Sequence, residues 1–166
     1  MIVVITGPAG AGKSTVGRAL ASSLGWTFQD GDDLHAPEHI AQMARGERLT
    51  DAQRQPWLRR VRAVIDRLSA AGEDAVIACS ALREAYRHVL ADGVDDVRFV
   101  FLAGSETLLR ERLTRRVGHF AGASLLESQL AILEPPLDAI TVDAALPVDD
   151  LVTELRRRLN RESSRR

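Results

Sequence analysis

The chain alternates short apolar runs with longer segments in which apolar residues recur at helical spacing. An apolar run at 2–5 stops at Gly7, and residues 14–24 then carry an apolar helical face that ends at Gly25. A run that is apolar throughout is typical of a strand covered on both faces, so 2–5 is predicted to be the central strand of a sheet. The same alternation predicts further strands at 26–29, 75–79, 97–102 and 139–142, and further helices at 37–45, 50–71, 81–90, 105–116, 124–134 and 148–159.

Several helix boundaries have their own signals. Thr50 with Gln53, and Ser124 with Glu127, have the spacing of a capping box and predict two helix starts. Pro56 lies where it is expected to break or bend the helix that begins at Thr50.

Strands that alternate with helices require right-handed crossovers, which place the strands in parallel and the helices on both faces of the sheet. The predicted fold is therefore an α/β fold with a five-stranded parallel sheet. A length of 166 residues supports a single domain, 1–166, whose polar tail at about 161–166 is expected to fray.

Composition and charge exclude several classes of function. The formal net charge is -1, without a dominant basic stripe, which makes nucleic acid a poor partner. The apolar run at 2–5 is too short for a membrane span and follows no charged signal-peptide region, so a cytoplasmic location is expected. The single cysteine, Cys79, lies in an apolar run and is expected to be buried with a structural role.

A glycine-rich loop follows the first strand and leads into the first helix. Its sequence fits the phosphate-loop pattern G-x-x-x-x-G-K-[ST], in the strand-to-helix context that the pattern requires. Its backbone N–H groups are expected to bind ATP phosphates, Lys13 to reach the β- and γ-phosphates, and the Ser14 hydroxyl to ligate Mg²⁺. Lys13 is also the only lysine among 22 basic residues. The alternative is a Gly-rich turn with an accidental Lys-Ser. The loop consists of Gly7, Pro8, Ala9, Gly10, Ala11, Gly12, Lys13 and Ser14.

An acidic turn follows the second predicted strand, at the same edge of the sheet as the phosphate loop. Asp30 is a candidate ligand of Mg²⁺, directly or through water, and Asp32 is a candidate base for an acceptor hydroxyl. The third strand ends in Cys79-Ser80 rather than in an Asp, which favours Asp30 as the metal ligand, while Ser80 is predicted to cap the next helix. The alternative for the two carboxylates is a solvated turn, in which Asp and Gly are common.

Taken together, the motifs resemble those of the small P-loop gluconate kinases along nearly the whole chain. The order and spacing of the matching blocks are more specific than the phosphate loop alone. Those blocks are Gly7 to Ser14; Asp30-Gly31-Asp32-Asp33-Leu34-His35; Met43, Gly46 and Leu49; Asp51, Arg54, Pro56, Trp57 and Leu58; Cys79-Ser80-Ala81-Leu82 with Tyr86-Arg87; Arg112, Arg116 and Gly118-His119-Phe120; and Ser128-Gln129, Leu133-Glu134 and Pro136.

The resemblance implies ATP-dependent phosphorylation of D-gluconate to 6-phosphogluconate, a mobile lid, and commonly a homodimer. Some positions outside the phosphate loop depart from the family pattern. His39 and Gln42 stand where the family usually has Asn and Lys, and Arg83 often replaces Lys. If the usual residues touch the acceptor, the preference among sugar acids differs in this chain.

The arginines of the predicted lid, at about 112–123, are candidates for the nucleotide. Arg112 and Arg116 stand four residues apart, on one helical face, and a guanidinium group suits the oxygens of a phosphoryl group in transfer. Arg116 is expected to contact the phosphates and act in catalysis, and a solvated helix face is the alternative for both residues.

Four further residues are candidates for the acceptor. The family pattern supports His35 and His119 as donors of hydrogen bonds to acceptor hydroxyls. Arg54 and Arg87 lie in matching blocks and are expected to bind the carboxylate of gluconate. Two other functions stay open: another small-molecule kinase, such as a shikimate or nucleoside monophosphate kinase, and a nucleotide-binding switch without transfer activity.

Overall fold

The structure, a computed structural model, describes residues 1–117 and 121–163, except for the side chains of 116, 117, 121–123, 162 and 163. Five strands form one parallel sheet in the order β2-β3-β1-β4-β5. β1 pairs with β3 on one side and with β4 on the other, which confirms it as the central strand. The strands are β1 (Ile2–Thr6), β2 (Thr27–Asp30), β3 (Ala75–Ala78), β4 (Val97–Ala103) and β5 (Ile140–Asp143).

The helices cover both faces of this sheet, as predicted. They are α1 (Lys13–Leu24), α2 (Pro37–Ala44), α3 (Asp51–Ala70), α4 (Glu84–Ala91), α5 (Glu106–Val117), α6 (Ala121–Leu130) and α7 (Val148–Ser163), and a 3₁₀ turn spans Gly31–Leu34. None of the described helices is both long enough and apolar enough to cross a membrane.

Alternate residues of β1 point to two separate hydrophobic cores. Val3 and Ile5 belong to the core that includes side chains of α1, α5, α6 and α7. Ile2 and Val4 belong to the core on the other face, which is built with α3 and α4. Burial on both faces is the reason that residues 2–5 of β1 are all apolar.

One of the two predicted capping boxes is present in the structure. Thr50 and Gln53 form the predicted capping box, and α3 continues through Pro56 to Ala70 without a break. The capping box predicted at Ser124 is wrong, because α6 already begins at Ala121. The Ser124 hydroxyl instead donates to the carbonyl of Gly46, at 3.0 Å.

The segment before α4 also departs from the sequence prediction. The helix begins at Glu84 rather than at 81, and its N-cap is Arg83 rather than Ser80. Ala81 has a φ of 37°, which an L-residue seldom adopts and which is incompatible with a helix. At the other end of the chain, α7 extends to Ser163, beyond the predicted end at 159.

Candidate active site

The phosphate loop curls tightly between β1 and α1 because its glycines adopt backbone conformations that other residues rarely reach. Gly10 has a φ of 82°, and a Cβ atom there would lie 2.8 Å from the carbonyl oxygen of Leu109. Gly12 has a φ of 95° and is the N-cap of α1. The loop therefore brings its backbone N–H groups to the N-terminus of a helix, an arrangement suited to phosphate oxygens.

Beside this loop lies a cavity of about 210 Å³ that brings together most of the residues predicted for chemistry. The phosphate loop, the start of α1, the 3₁₀ turn and α3 all contribute lining residues. The cavity is lined, among others, by Ala9, Gly10, Gly12, Lys13, Ser14, Asp32, His35, Arg54, Trp57, Ser80, Tyr86 and Gln129.

The two carboxylates of the acidic turn have different surroundings. Asp32 lines the cavity, and burial raises the pKa of its carboxyl group, while Lys13 opposes that rise and Asp30 adds to it. Asp30 is buried at the end of β2, where its Oδ1 accepts a hydrogen bond from the N–H of Asp32, at 3.1 Å. Its Oδ2 lies 3.9 Å from Nη2 of Arg18. Asp30 thus fixes the backbone that carries Asp32.

Lys13 is already held within the phosphate loop. Its Nζ donates a hydrogen bond to the carbonyl of Pro8, at 3.1 Å. Lys13 lines the cavity together with Ser14 and Asp32.

His35 and Trp57 form one wall of the cavity. Their rings stack with centroids 4.4 Å apart and an angle of 8° between the planes, and Trp57 Nε1 donates to the carbonyl of Gly31 at 2.7 Å. Burial, together with the nearby His39, Arg54 and Arg60, lowers the pKa of His35 to about 4. His35 is therefore neutral at pH 7, when it can donate through one ring nitrogen and accept through the other.

Arg54 is held by a network that joins α3 to α4. Its Nη1 lies 3.2 Å from Oδ1 of Asp51 and 3.4 Å from the hydroxyl of Tyr86. That hydroxyl donates to Asp51 Oδ1 at 2.5 Å, and Arg83 Nη1 donates to Asp51 Oδ2 at 2.9 Å. The hydrogen bond from Tyr86, with the charges of the two arginines, lowers the pKa of Asp51. The network fixes a guanidinium group at the wall of the cavity.

Arg87, the second arginine predicted to bind the acceptor, is turned into the protein. Its side chain is buried, and Nη1 donates to the carbonyls of Ala81 and Leu82 at 3.0 and 3.2 Å. These bonds hold the unusual backbone of Ala81, next to Ser80 in the cavity wall. A contact between Arg87 and gluconate stays a prediction, and the observed bonds give Arg87 a structural role.

A second cavity, of about 270 Å³, lies on the other side of the phosphate loop. Arg112 lines it and donates from Nη2 to the carbonyl of Ala144 at 2.7 Å and from Nη1 to that of Ala11 at 3.4 Å. Arg116 belongs to α5, but its side chain lies outside the described residues, as does all of His119.

The sequence analysis assigned no role to Gln129, although Gln129 lies in a block that matches the family pattern. Gln129 is in α6, and its Oε1 accepts a hydrogen bond from the backbone N–H of Ala9 in the phosphate loop, at 2.6 Å. Tyr86 was also left without a role. Contacts between residues so far apart in sequence leave no periodic signal, and only the unusual composition marks Tyr86, which is the single tyrosine of the chain.

Cys79 lies directly after β3, behind the acidic turn. It is buried, and burial, with a contribution from Asp32, raises the pKa of its thiol to about 12. The thiol is therefore protonated at physiological pH, as expected of a structural cysteine.

Comparisons with known proteins identify the family of this chain. The Shikimate kinase family model matches residues 9–130. The gluconokinase of Gluconobacter oxydans (strain 621H) is 43% identical over 163 residues, which cover 96% of this chain and 92% of that protein.

Two solved structures extend the agreement to three dimensions. A sugar kinase from Janibacter sp. HTCC2649 matches with a TM-score of 0.87 and 40% identity, over 96% of this chain and 94% of that one. A gluconokinase from Sinorhizobium meliloti 1021 matches with a TM-score of 0.86 and 42% identity, over 98% of this chain and 93% of that one. The P-loop kinase fold and the resemblance drawn from the motifs are thereby confirmed, and this chain belongs to the gluconokinase family.

Proposed function

We propose that this chain is a kinase that transfers the γ-phosphoryl group of ATP to the 6-hydroxyl of D-gluconate, which yields ADP and 6-phospho-D-gluconate. The observation that carries the proposal is the shared cavity, which is lined by the phosphate loop, the Asp32 carboxylate and the Arg54 guanidinium group. The names of the relatives supply the acceptor, since those proteins are gluconokinases.

In the proposed reaction the O6 oxygen forms a bond to the γ-phosphorus while the bond from that phosphorus to the β,γ-bridging oxygen breaks. Asp32 accepts the proton of the hydroxyl, and its raised pKa makes the carboxylate a better base than one with an ordinary pKa. Lys13 balances the charge that spreads over the oxygens of the transferred group. Arg116 is proposed as a second cation for this group.

The acceptor is proposed to lie between the 3₁₀ turn and α3. Arg54 would pair with the carboxylate of gluconate, because its side chain is only 17% exposed and a planar guanidinium group binds a carboxylate through two hydrogen bonds. His35, neutral and stacked on Trp57, would meet the hydroxyls of the acceptor. His119 is proposed as a further hydroxyl contact.

The nucleoside is proposed to lie on the other side of the phosphate loop, in the cavity that Arg112 lines. This cavity has apolar side chains along one wall, such as Val16, Leu146 and Leu151, which suit the face of a base. The phosphates of ATP would then extend along the phosphate loop to Lys13 and Ser14.

Mg²⁺ prefers oxygen ligands and usually keeps several waters beside one or two carboxylates and the phosphates of its nucleotide. The Ser14 hydroxyl and the Asp30 carboxylate are the proposed donors. Asp30 fits this role less directly than Asp32, because one of its oxygens already accepts the N–H of Asp32. The ion would neutralise phosphate charge during transfer.

A coupled assay of ADP release tests the assignment. The purified protein with ATP and Mg²⁺ is given gluconate, shikimate, glucose, glucono-lactone or a nucleoside monophosphate. Turnover should be highest with gluconate and at least about a thousandfold lower in kcat/KM with glucose, which lacks the carboxylate proposed to bind Arg54. Brisk turnover of shikimate instead would favour a shikimate kinase. Shikimate is tested because the Shikimate kinase family model matches this chain. ATP binding without any transfer would favour a nucleotide-binding switch.

The family resemblance also implies a homodimer, which we propose as the state in solution. Light scattering coupled to size-exclusion chromatography measures the mass directly. A mass near 18.1 kDa, that of one chain, would contradict the homodimer.

A further inference from the structure

The phosphate loop is tied to a helix that lies 120 residues further along the chain. The backbone N–H of Ala9 donates to Oε1 of Gln129, at 2.6 Å. Loop N–H groups of this kind are the donors that a P-loop presents to phosphate oxygens. A side-chain oxygen therefore already occupies a position in which a phosphate oxygen would be bound.

The position of Ala9 indicates which phosphate is involved. Ala9 and Gln129 both line the cavity that contains Asp32, whereas Ala11 and Thr15 line the cavity on the nucleoside side. The phosphate that reaches Asp32 is the one to be transferred, since the acceptor hydroxyl lies there in the proposed reaction. Ala9 is thus placed to meet the terminal phosphate rather than the α- or β-phosphate.

The helix that carries Gln129 is well anchored, so the contact is not an accident of a loose side chain. Leu126 of α6 is fully buried in the core. Ser124 donates to the carbonyl of Gly46, just after α2, at 3.0 Å, and Arg110 of α5 donates to Glu127 at 2.9 Å. α6 therefore links the phosphate loop to α2 and to α5.

We propose that Gln129 senses the terminal phosphate. In the ligand-free protein its Oε1 holds the place of a γ-phosphate oxygen on the Ala9 N–H, and a bound triphosphate displaces it. Both oxygens are acceptors and repel each other at this distance, so the two contacts compete for one N–H. ADP lacks the third phosphate and leaves the contact in place, so that α6 responds to ATP and not to ADP. The proposal rests on nucleotide binding at the phosphate loop, as proposed above, and is independent of the acceptor.

Two substitutions at Gln129 change the strength of the competing acceptor in opposite directions. Gln129→Met keeps the size of the side chain and removes the acceptor, whereas Gln129→Glu replaces it with a charged acceptor, which binds an N–H more strongly and repels phosphate. Isothermal titration calorimetry on the 166-residue chain with Mg²⁺ gives the dissociation constants of ADP and of β,γ-imido-ATP, a triphosphate analogue that is not hydrolysed. The readout is the ratio of the two constants.

In Gln129→Met the analogue should bind about threefold to tenfold more tightly, the gain expected when one competing hydrogen bond is lost, while ADP changes by less than about twofold. In Gln129→Glu the dissociation constant of the analogue should rise on the order of tenfold, and by a larger factor than that of ADP. Gln55→Glu is the matched control, because Gln55 is exposed on α3 and the change in charge is the same. Its ratio should equal that of the parent.

An unchanged ratio in both Gln129 variants overturns the proposal, and so does an equal change for ADP and the analogue. Gln129→Glu retains the shape and the acceptor, so it decides the question even if Gln129→Met fails to fold. If the parent protein binds neither ADP nor the analogue, the proposed function is refuted instead. A protein that binds the analogue but does not phosphorylate gluconate still tests Gln129.

Discussion

Protonation of His35 should destabilise the protein at mildly acidic pH. The imidazole is buried against Trp57, and three basic residues, His39, Arg54 and Arg60, disfavour a positive charge on it. Its Nδ1 is buried and has no hydrogen-bond partner among the described residues, so no nearby acceptor stabilises an added proton. The folded protein therefore takes up this proton only near a pKa of about 4.

The size of the effect follows from the two pKa values. The unfolded chain protonates His35 near pH 6.5, so between about pH 6.5 and pH 4 the unfolded state binds more protons and stability falls as the pH falls. From pH 7 to pH 5 the two pKa values give a loss of roughly 2 kcal/mol. Water in the adjoining cavity screens the charge, which reduces the expected loss to about 1 kcal/mol.

Urea unfolding of the parent and of His35→Phe at pH 7 and pH 5 measures this loss. Phe keeps the stacked ring and does not titrate, so the variant should lose about 1 kcal/mol less than the parent between the two pH values. His88→Gln, at an exposed position, should behave like the parent. Equal losses for the parent and His35→Phe would show that His35 is not held neutral by its surroundings.

Four further predictions concern the active site. Lys13→Ala should lower kcat by about 10²–10³-fold in a folded protein, as circular dichroism would verify, and near-normal turnover would contradict the role of the phosphate loop. Asp32→Asn should lower kcat by about 10²–10⁴-fold, with ATP binding retained in calorimetry. In the parent, kcat should rise with pH through the raised pKa of Asp32, and any activity left in the variant should lack that rise. Arg54→Lys should raise the KM for gluconate by about tenfold or more, because lysine lacks the planar pair of donors, while Arg59→Lys on the exposed side of α3 should not change it. Gly31→Ala should reduce the free energy of unfolding by about 1–3 kcal/mol in urea titrations, since its Cβ would lie 2.6 Å from a carbonyl oxygen of β3; an unchanged midpoint would mean that the turn can shift without cost.

The sheet and the phosphate loop could be predicted from the sequence because their signals are local. Val3 and Val4 face opposite cores, so residues 2–5 form a continuous apolar run, and this run before a glycine-rich loop identifies the strand. The phosphate loop needs glycines at fixed positions for its backbone, and Gly10 and Gly12 carry that requirement into the sequence. Thr50 and Gln53 satisfy each other three residues apart, so their signal was also readable.

The parts that could not be predicted depend on partners that are distant in sequence. Ser124 has the local signal of a cap, but its hydroxyl donates to Gly46, which only the packing of α6 beside α2 explains. Ser80 was predicted as a cap, yet its carbonyl accepts the hydroxyl of Thr6 in β1, and the chain turns through Ala81 before the next helix starts. The inward direction of Arg87 follows from the same turn, whose carbonyls its guanidinium group satisfies.

The protonated state of Cys79 has a practical consequence for the study of motion in this protein. Alkylating reagents react with thiolates, and a buried thiol with a pKa of about 12 offers almost none at neutral pH. Because Cys79 is the only cysteine, the native chain is in effect a cysteine-free background for site-specific labelling. A cysteine introduced in place of Leu137, which is 98% exposed, would take up a maleimide dye alone and leave the native core sequence unaltered. Fluorescent probes could then follow the response to nucleotide without first removing a residue that lies directly behind the catalytic turn.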